Sequence, residues 1–226
     1  MSAIIVFDLN ETLLDMSALD DFFKTIFGDA KARFEWFQTL EGIMLTSILL
    51  GENKKFSELT IAALQMTAKK KNIELFPENE TNLTEVMKQL FAHGEVIEGL
   101  RMLKSNNFRV AVLTNGSLAT AEQQCEFAQI TDYFEEILSA EDSGKLKPAK
   151  EAYRYAAEKL DVETKDILMV AAHAWDIAGA DAAGCATAFI ARPQKVLNPS
   201  GKKPKYYGQN LVEIAGQIIE KETPSE

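Results

Sequence analysis

The stretch AIIVFDLNET, residues 3–12, decides the fold. It opens on a short apolar run, largely β-branched and without alternation, which reads as a strand buried on both faces. Asp8 follows at once, where the strand gives way to a polar turn. FRVAVLT (108–114), DILMVAA (166–172) and ATAFIA (186–191) read as strands of the same kind. Helical stretches lie between them: EVIEGLRMLKSNN (95–107), with Val96, Ile97, Leu100 and Leu103 on one face, then LATAEQQCEFAQ (118–129), AKEAYRYAAEKL (149–160) and AWDIAGADAAG (174–184). Strands alternating with helices of about 10–15 residues imply an α/β fold, a doubly wound parallel sheet with right-handed crossovers and helices on both faces. In such sheets reactive side chains gather at the carboxyl ends of the strands. Asp8, Thr114–Asn115 and Ala171–His173 all fall there. A carboxylate in the position of Asp8 serves as a base, a metal ligand or a covalent nucleophile; its plainest alternative is an N-cap for the next helix.

Residues 15–92 break the alternation. LDDFFKTIF, ARFEWFQTLEGIMLTSILLG and FSELTIAALQMTAKKK are helical in pattern, and PENETN (77–82) reads as a loop among them. Leu40, Ile43, Met44 and Ser47 recur at helical spacing, with Gly51 as a C-cap. An insertion of helices directly after the first strand reads as a cap over the strand ends. The expected division is a core of residues 1–14 and 93–226 with a helical cap of 15–92. NLVEIAGQIIEK (210–221) is amphipathic and packs back on the core, while NPSGKKPKYYG (198–208) reads as a solvated loop from which Tyr206 or Tyr207 closes one side of the pocket.

Composition narrows the classes. The 226 residues are 46% hydrophobic and 26% charged, a globular balance large enough for a sizeable core. A net charge of −10 speaks against a nucleic-acid partner. An anionic substrate must therefore be drawn in by local cations. Cys125 and Cys185 have no paired spacing and read as free buried thiols of a reducing compartment. No segment approaches the roughly 18 apolar residues of a membrane span, and the N-terminus lacks a basic leader, so a cytoplasmic location without a membrane partner is expected. The sequons at Asn10, Asn79 and Asn82 would then carry no glycan.

Four motifs, FDLNETLLD, LTNGS, LKPAKEAY and AAHAWDIAGADAAG, occur in an order and at spacings that resemble the haloacid dehalogenase superfamily, and within it the (S)-2-haloacid dehalogenases. The resemblance spans nearly the whole chain. It implies a Rossmann-like core, a helical cap and two-step hydrolysis: Asp8 attacks the carbon bearing the halogen and expels halide, and water then cleaves the ester at the Asp8 carbonyl. Phosphatases of the superfamily need a general acid two residues after the nucleophile, where this chain has Asn10. Halide leaves unprotonated and needs no such acid. Ala172 stands where the phosphatases carry a metal-binding carboxylate, so neither metal nor cofactor is expected. By the same resemblance Lys147 keeps Asp8 ionised and oriented, Asp176 orients Lys147, Thr12 hydrogen-bonds Asp8, and Thr114 and Asn115 suit a substrate carboxylate or a departing halide.

This chain also departs from the family pattern. The family carries asparagine at the position of His173, and serine at that of Ala171. A histidine with a pKa near neutrality takes a proton from water, and Glu11, next to Asn10, is the expected partner that orients it; some relatives with Asn-Glu-Thr after the nucleophile resemble this arrangement. With Asp8, Glu11 and Asp176 close together, one carboxyl is expected to titrate high or to share a proton with His173. His93 reads as structural. The family arginine that follows a tryptophan on the first long cap helix is absent, since Trp36 is followed by Phe37. Capture of the substrate carboxylate then falls to Arg33 or to backbone amides near Leu9 and Asn10, with Trp36, Phe37 and Trp175 as an apolar wall.

The resulting expectation is a metal-independent hydrolase that converts short 2-haloalkanoic acids to 2-hydroxy acids, with a small halogenated acid and water as partners and a homodimer fitting the apolar cap helices. The rivals are a magnesium-dependent phosphatase of the same superfamily and a non-catalytic binding descendant of the fold.

Overall fold

The computed structural model describes residues 4–222; residues 1–3 and 223–226, assigned above to the core, lie outside them. Six strands form one sheet: β1 Ile4–Phe7, β2 Val110–Thr114, β3 Glu136–Ser139, β4 Ile167–Ala171, β5 Ala186–Ile190 and β6 Tyr206–Gly208. Their order is β3-β2-β1-β4-β5-β6 and every neighbouring pair is parallel. The chain winds outward from β1 in both directions, so β1 marks the switch point where such sheets open a crevice. Phe7 pairs with Val112 on one side and Val170 on the other. The Asp8 N–H extends the ladder by one bond to the Val170 carbonyl at 3.0 Å. Asp8, Thr114 and His173 therefore leave the sheet along the same edge.

The run without alternation is explained by two cores. Ile5 and Phe7 pack against α5 (Val96–Ser105) and α9 (Leu211–Glu222) through Leu100, Leu103, Ile214 and Ile218. Ile4 and Val6 pack on the opposite face against α7 (Lys150–Lys159) and α8 (Ala174–Ala183) through Ala152, Tyr153, Ala156 and Ala180. Both faces of β1 are thus dry, which is what a strand of continuous apolar residues requires. The helix α6 (Leu118–Phe127) connects β2 to β3.

Between β1 and α5 the described residues hold no strand. They form α1 (Asp20–Phe27), α2 (Ala32–Leu49), α3 (Phe56–Lys70) and α4 (Pro77–Met87). The α2 face carrying Trp36, Leu40 and Met44 is buried in the same apolar cluster as Ala63 and Leu64 of α3. The Trp36 Nε1–H donates to the Thr60 carbonyl at 3.1 Å.

Two stretches differ from the sequence expectation. PENETN is not a loop but the opening of α4: Pro77 takes a position at the helix start where no N–H is needed, and Asn79 Oδ1 accepts the Phe76 N–H at 2.8 Å. Only Leu83 and Met87 of α4 are buried, so its polarity hid its periodicity. YYG is the edge strand β6, with Tyr206 buried and Tyr207 exposed, too short to show a period. The strand β3 was unmarked for a related reason, since its first residue, Glu136, is exposed. Cys125 and Cys185 are free and buried. Among the described residues no helix is long and apolar enough to cross a membrane.

One glycine ties α8 to the site. A Cβ added at Gly179 would lie 2.5 Å from Pro148 Cβ, 2.7 Å from the Pro148 carbonyl oxygen and 2.7 Å from the Tyr153 hydroxyl. Gly179→Ala is expected to cost about 2 kcal/mol through this overpacking. In a chain of this length that lowers Tm by about 4–8 °C, a shift that thermal unfolding followed by circular dichroism will measure.

Candidate active site

The carboxylate of Asp8 is held from both sides. Its Oδ1 accepts from Lys147 Nζ at 2.9 Å, and its Oδ2 accepts from Thr12 Oγ1 at 2.6 Å and lies 3.1 Å from His173 Nδ1. Thr12 is itself fixed, because its hydroxyl oxygen accepts the Ala172 N–H at 2.9 Å. Lys147 bridges Asp8 to Asp176 Oδ2 at 2.7 Å, and Tyr153 donates to Asp176 Oδ1 at 2.6 Å. Lys147 and Asp176 are fully buried, so this ion pair works without water to screen it.

The Lys147 backbone is clamped by Asn115. The Lys147 N–H donates to Asn115 Oδ1 at 2.7 Å, and Asn115 Nδ2 donates to the Lys147 carbonyl at 3.0 Å. Asn115 thus serves the lysine, and its amide is spent there more than on a ligand. Thr114 lines the cavity with a hydroxyl oxygen that accepts the Gly116 N–H at 3.2 Å.

Glu11 stands in the left-handed region, with φ of 62°, a strain of about 1–3 kcal/mol for a non-glycine residue. The surrounding structure holds it there. His93 Nε2–H donates to the Glu11 carbonyl at 3.2 Å, and Arg192 donates twice to the Thr12 carbonyl, at 3.0 and 2.8 Å. The turn aims the Glu11 carboxylate at His173, whose Nε2 lies 2.9 Å from Glu11 Oε2. Lys195 pairs with the same oxygen.

His173 therefore bridges two carboxylates, one at each ring nitrogen. An ionised carboxylate only accepts, so both nitrogens carry protons. The ring is also sandwiched, with Phe37 at 5.6 Å and Trp175 at 5.0 Å between centroids, both nearly parallel to it. Aromatic faces favour a cation between them. Burial pushes the imidazole pKa down, but the hydrogen bonds and charges of Asp8 and Glu11 prevail and raise it to about 9. The resting ring is a cation and not the neutral base expected from the sequence.

The carboxyl groups answer in kind. Burial pushes Asp8 up, yet Lys147, His173 and Thr12 together hold it well below the usual carboxylate range. Glu11 is likewise lowered, against burial, by His173 and Lys195. Asp176 is the carboxyl that titrates high: burial and the nearby Asp8 charge outweigh the pull of Lys147. Lys147 stays charged, since Asp176 and Asp8 overcome its burial.

A narrow cavity of about 20 Å³ opens on Asp8 and is lined also by Asn10, Phe37, Thr114, Asn115, His173 and Trp175. Leu40, Glu41 and Met44 of α2 and Phe56 of α3 complete the wall. The space is tight, on the scale of a single water molecule.

Four expected substrate contacts lie elsewhere. Arg33 Nε donates to Asp20 Oδ1 at 2.6 Å, its Nη1 lies 3.8 Å from Glu11 Oε1, and it does not line the cavity. The acidic neighbours on α1 and in the turn after β1 have captured it. Trp36 is buried in the cap behind Phe37, since its indole faces α3. The hydroxyl of Thr12 is committed to Asp8 and Ala172, and the Leu9 side chain is buried in the apolar core. Only the backbone amides beside Leu9 and Asn10 remain of the two expected carboxylate traps.

Other residues were not foreseen. Glu41 follows Phe37 by one helical turn and accepts from Trp175 Nε1 at 2.9 Å. The i, i+4 rule applied to Phe37 would have found it. Lys195 and Arg192 follow β5, so the strand-end rule extended to that strand points to both. Tyr153 carried no signal, being an ordinary apolar-face residue of α7.

The donor set does not suit a divalent cation. Both Asp8 oxygens are taken by Lys147, Thr12 and His173, and Asn10 Oδ1 accepts from Gln124 Nε2 at 3.0 Å. Among the described residues no group of three or more His, Cys, Asp or Glu side chains is arranged to hold a metal.

This geometry has relatives. Residues 3–184 match the family model described as haloacid dehalogenase-like hydrolase. The chain is 27% identical over 217 residues to an (S)-2-haloacid dehalogenase of Pseudomonas fluorescens, covering 95% of each protein. It is 29% identical over 204 residues to haloacetate dehalogenase H-2 of Moraxella sp. (strain B), covering 89% of this chain and 91% of that one. The fold superposes with a TM-score of 0.90 on the L-2-haloacid dehalogenase from Xanthobacter autotrophicus with chloropropionic acid covalently bound, at 19% identity over 96% of this chain and 98% of the other. A parallel sheet with its nucleophile candidate at the switch point and a family match over most of its length have one reading: the chain belongs to the haloacid dehalogenase-like hydrolase family.

Proposed function

We propose that this protein hydrolyses short 2-haloalkanoic acids to 2-hydroxy acids through an ester on Asp8, with α1–α4 as the cap over the site. The observation that carries the reading is the Asp8 carboxylate itself, ionised and fixed by Lys147 and Thr12 on the floor of a small cavity. The names of the similar proteins from Pseudomonas fluorescens and Moraxella support the same reaction class.

In the first step one Asp8 oxygen attacks C2 of the substrate. The C–O bond forms as the carbon–halogen bond breaks, and halide leaves with the electron pair. Lys147 and Thr12 hold the attacking group in line, an entropic contribution that orientation alone makes large.

The ester then changes His173. Esterification removes the Asp8 charge and weakens the hydrogen bond at Nδ1, two of the influences that hold the ring protonated. The imidazolium loses its Nδ1 proton, which is the one proton that the overall reaction releases. The neutral ring, still held at Nε2 by Glu11, takes a proton from water as that water attacks the Asp8 carbonyl carbon. Cleavage of the ester frees the 2-hydroxy acid, restores the Asp8 carboxylate and returns His173 to its charged form.

A single turnover of bromoacetate in heavy-oxygen water tests the covalent route. The label is expected in the peptide holding Asp8, as read by mass spectrometry after proteolysis. Label confined to glycolate means direct attack by water on C2, and overturns the ester.

A further inference from the structure

The cavity contains a second carboxylate and, among the described residues, no cation free to meet a substrate anion. His173 is the one cation lining it among the described residues, and its two N–H groups already face Asp8 and Glu11. The other nearby cations are engaged outside it: Lys147 by Asp8 and Asp176, Arg33 by Asp20, and Lys195 by Glu11. Glu41 faces the same space, fixed through Oε1 by the Trp175 indole N–H at 2.9 Å. Its Oε2 has no protein donor among the described residues. The remaining polar groups are neutral. Asn10, held by Gln124 at Oδ1, keeps its Nδ2 donor for a ligand, and Thr114 keeps its hydroxyl proton.

A 2-haloalkanoate brings a charge and two acceptor oxygens to this wall. A primary 2-haloamide brings one acceptor, which suits the neutral donors, and an N–H group, which suits Glu41. We propose that the cavity also takes uncharged 2-haloamides, and that Glu41, by accepting the amide N–H and repelling a carboxylate, sets the preference between amide and acid. The inference rests on the reading that Asp8 displaces halide. The chemistry is unchanged: Asp8 bonds to C2 of 2-bromoacetamide, bromide leaves with the C–Br pair, and water at the Asp8 carbonyl gives glycolamide, the free carboxylate and one proton.

The test compares kcat/KM for bromide release from bromoacetate, bromoacetamide and N,N-dimethylbromoacetamide, with Asp8→Asn as the control for non-enzymatic alkylation. The wild-type protein is expected to turn over bromoacetamide to glycolamide, and to lose at least about tenfold on the dimethyl compound, whose nitrogen has no proton for Glu41. In Glu41→Gln the amide-to-acid ratio is expected to fall at least about fivefold, because the repulsion is gone and the charged acceptor with it. Turnover of bromoacetate without any Asp8-dependent release from bromoacetamide overturns this inference and leaves the dehalogenase reading standing. A dimethyl compound as good as the primary amide, or a ratio unmoved in Glu41→Gln, removes Glu41 from the proposal. Failure on all three compounds overturns the dehalogenase reading itself.

Discussion

In His173→Asn the first turnover is expected to release about one equivalent of halide per active site, after which the protein stalls as the Asp8 ester. Asp8 retains Lys147 and Thr12 as partners in this variant, so the attacking carboxylate stays charged and aimed. What disappears is the imidazole that lies between Asp8 and Glu11, the group proposed to take a proton from water. General-base catalysis of this kind is worth about 10²–10⁴ in rate, and steady-state turnover is expected to drop by that factor. Quench-flow measurement of bromide, paired with mass analysis of the Asp8 peptide, separates the two steps. Equal loss of burst and steady state would falsify the assignment of His173 to the second step.

The same variant has a stability signature with a definite sign. His173 is raised from 6.5 to about 9 in the folded protein, so its contribution to stability is complete below about pH 6.5 and is lost as pH rises through about 9. The swing is on the order of 3 kcal/mol. Wild-type Tm is therefore expected to decline between pH 6.5 and 9, and the decline to flatten in His173→Asn.

Lys147→Met is expected to be the more damaging change. The ammonium is fully buried between Asp8 and Asp176, and methionine fills its volume without its charge. Removing one partner from a buried ion cluster costs about 3–5 kcal/mol, because the carboxylates are left uncompensated and repel each other. One of the two then takes a proton, and Asp176, already raised, is the expected site. The loss should therefore shrink as pH falls and both carboxyls become neutral. Urea unfolding at pH 7 and pH 5 measures this. Halide release is expected to fall by at least about 10³, since both the charge state and the aim of Asp8 depend on Lys147. A variant as stable as the parent at pH 7 contradicts the cluster as described.

The legible part of the protein was the part written in short-range pattern. Four of the strands carried continuous apolar runs because the sheet centre is dry on both faces, and Asp8, Thr114 and His173 were placed by their positions at strand ends. The edge strands β3 and β6 escaped because both are short and part of each faces water. The helix α4 escaped because only two of its residues enter the core. In the site, the companions of Asp8 were visible in the motifs, whereas the fate of Arg33 was not. Whether an arginine faces a ligand or a neighbouring aspartate is settled by the packing of α1 against α2, which no local pattern records. The charge of His173 was hidden for a similar reason. It depends on two carboxylates arriving at both sides of one ring.

Asp8 meets Lys147 across 139 residues of chain and His173 across 165. The carboxylate proposed to attack is made among the first residues, and Lys147, His173 and Asp176 are made long afterwards. A nascent chain therefore holds β1 without its sheet neighbour β4, and Asp8 without His173, until residue 173 has been made, and such distant pairings make for slow folding. The full set of charged partners around Asp8 is complete only once residue 176 has been made.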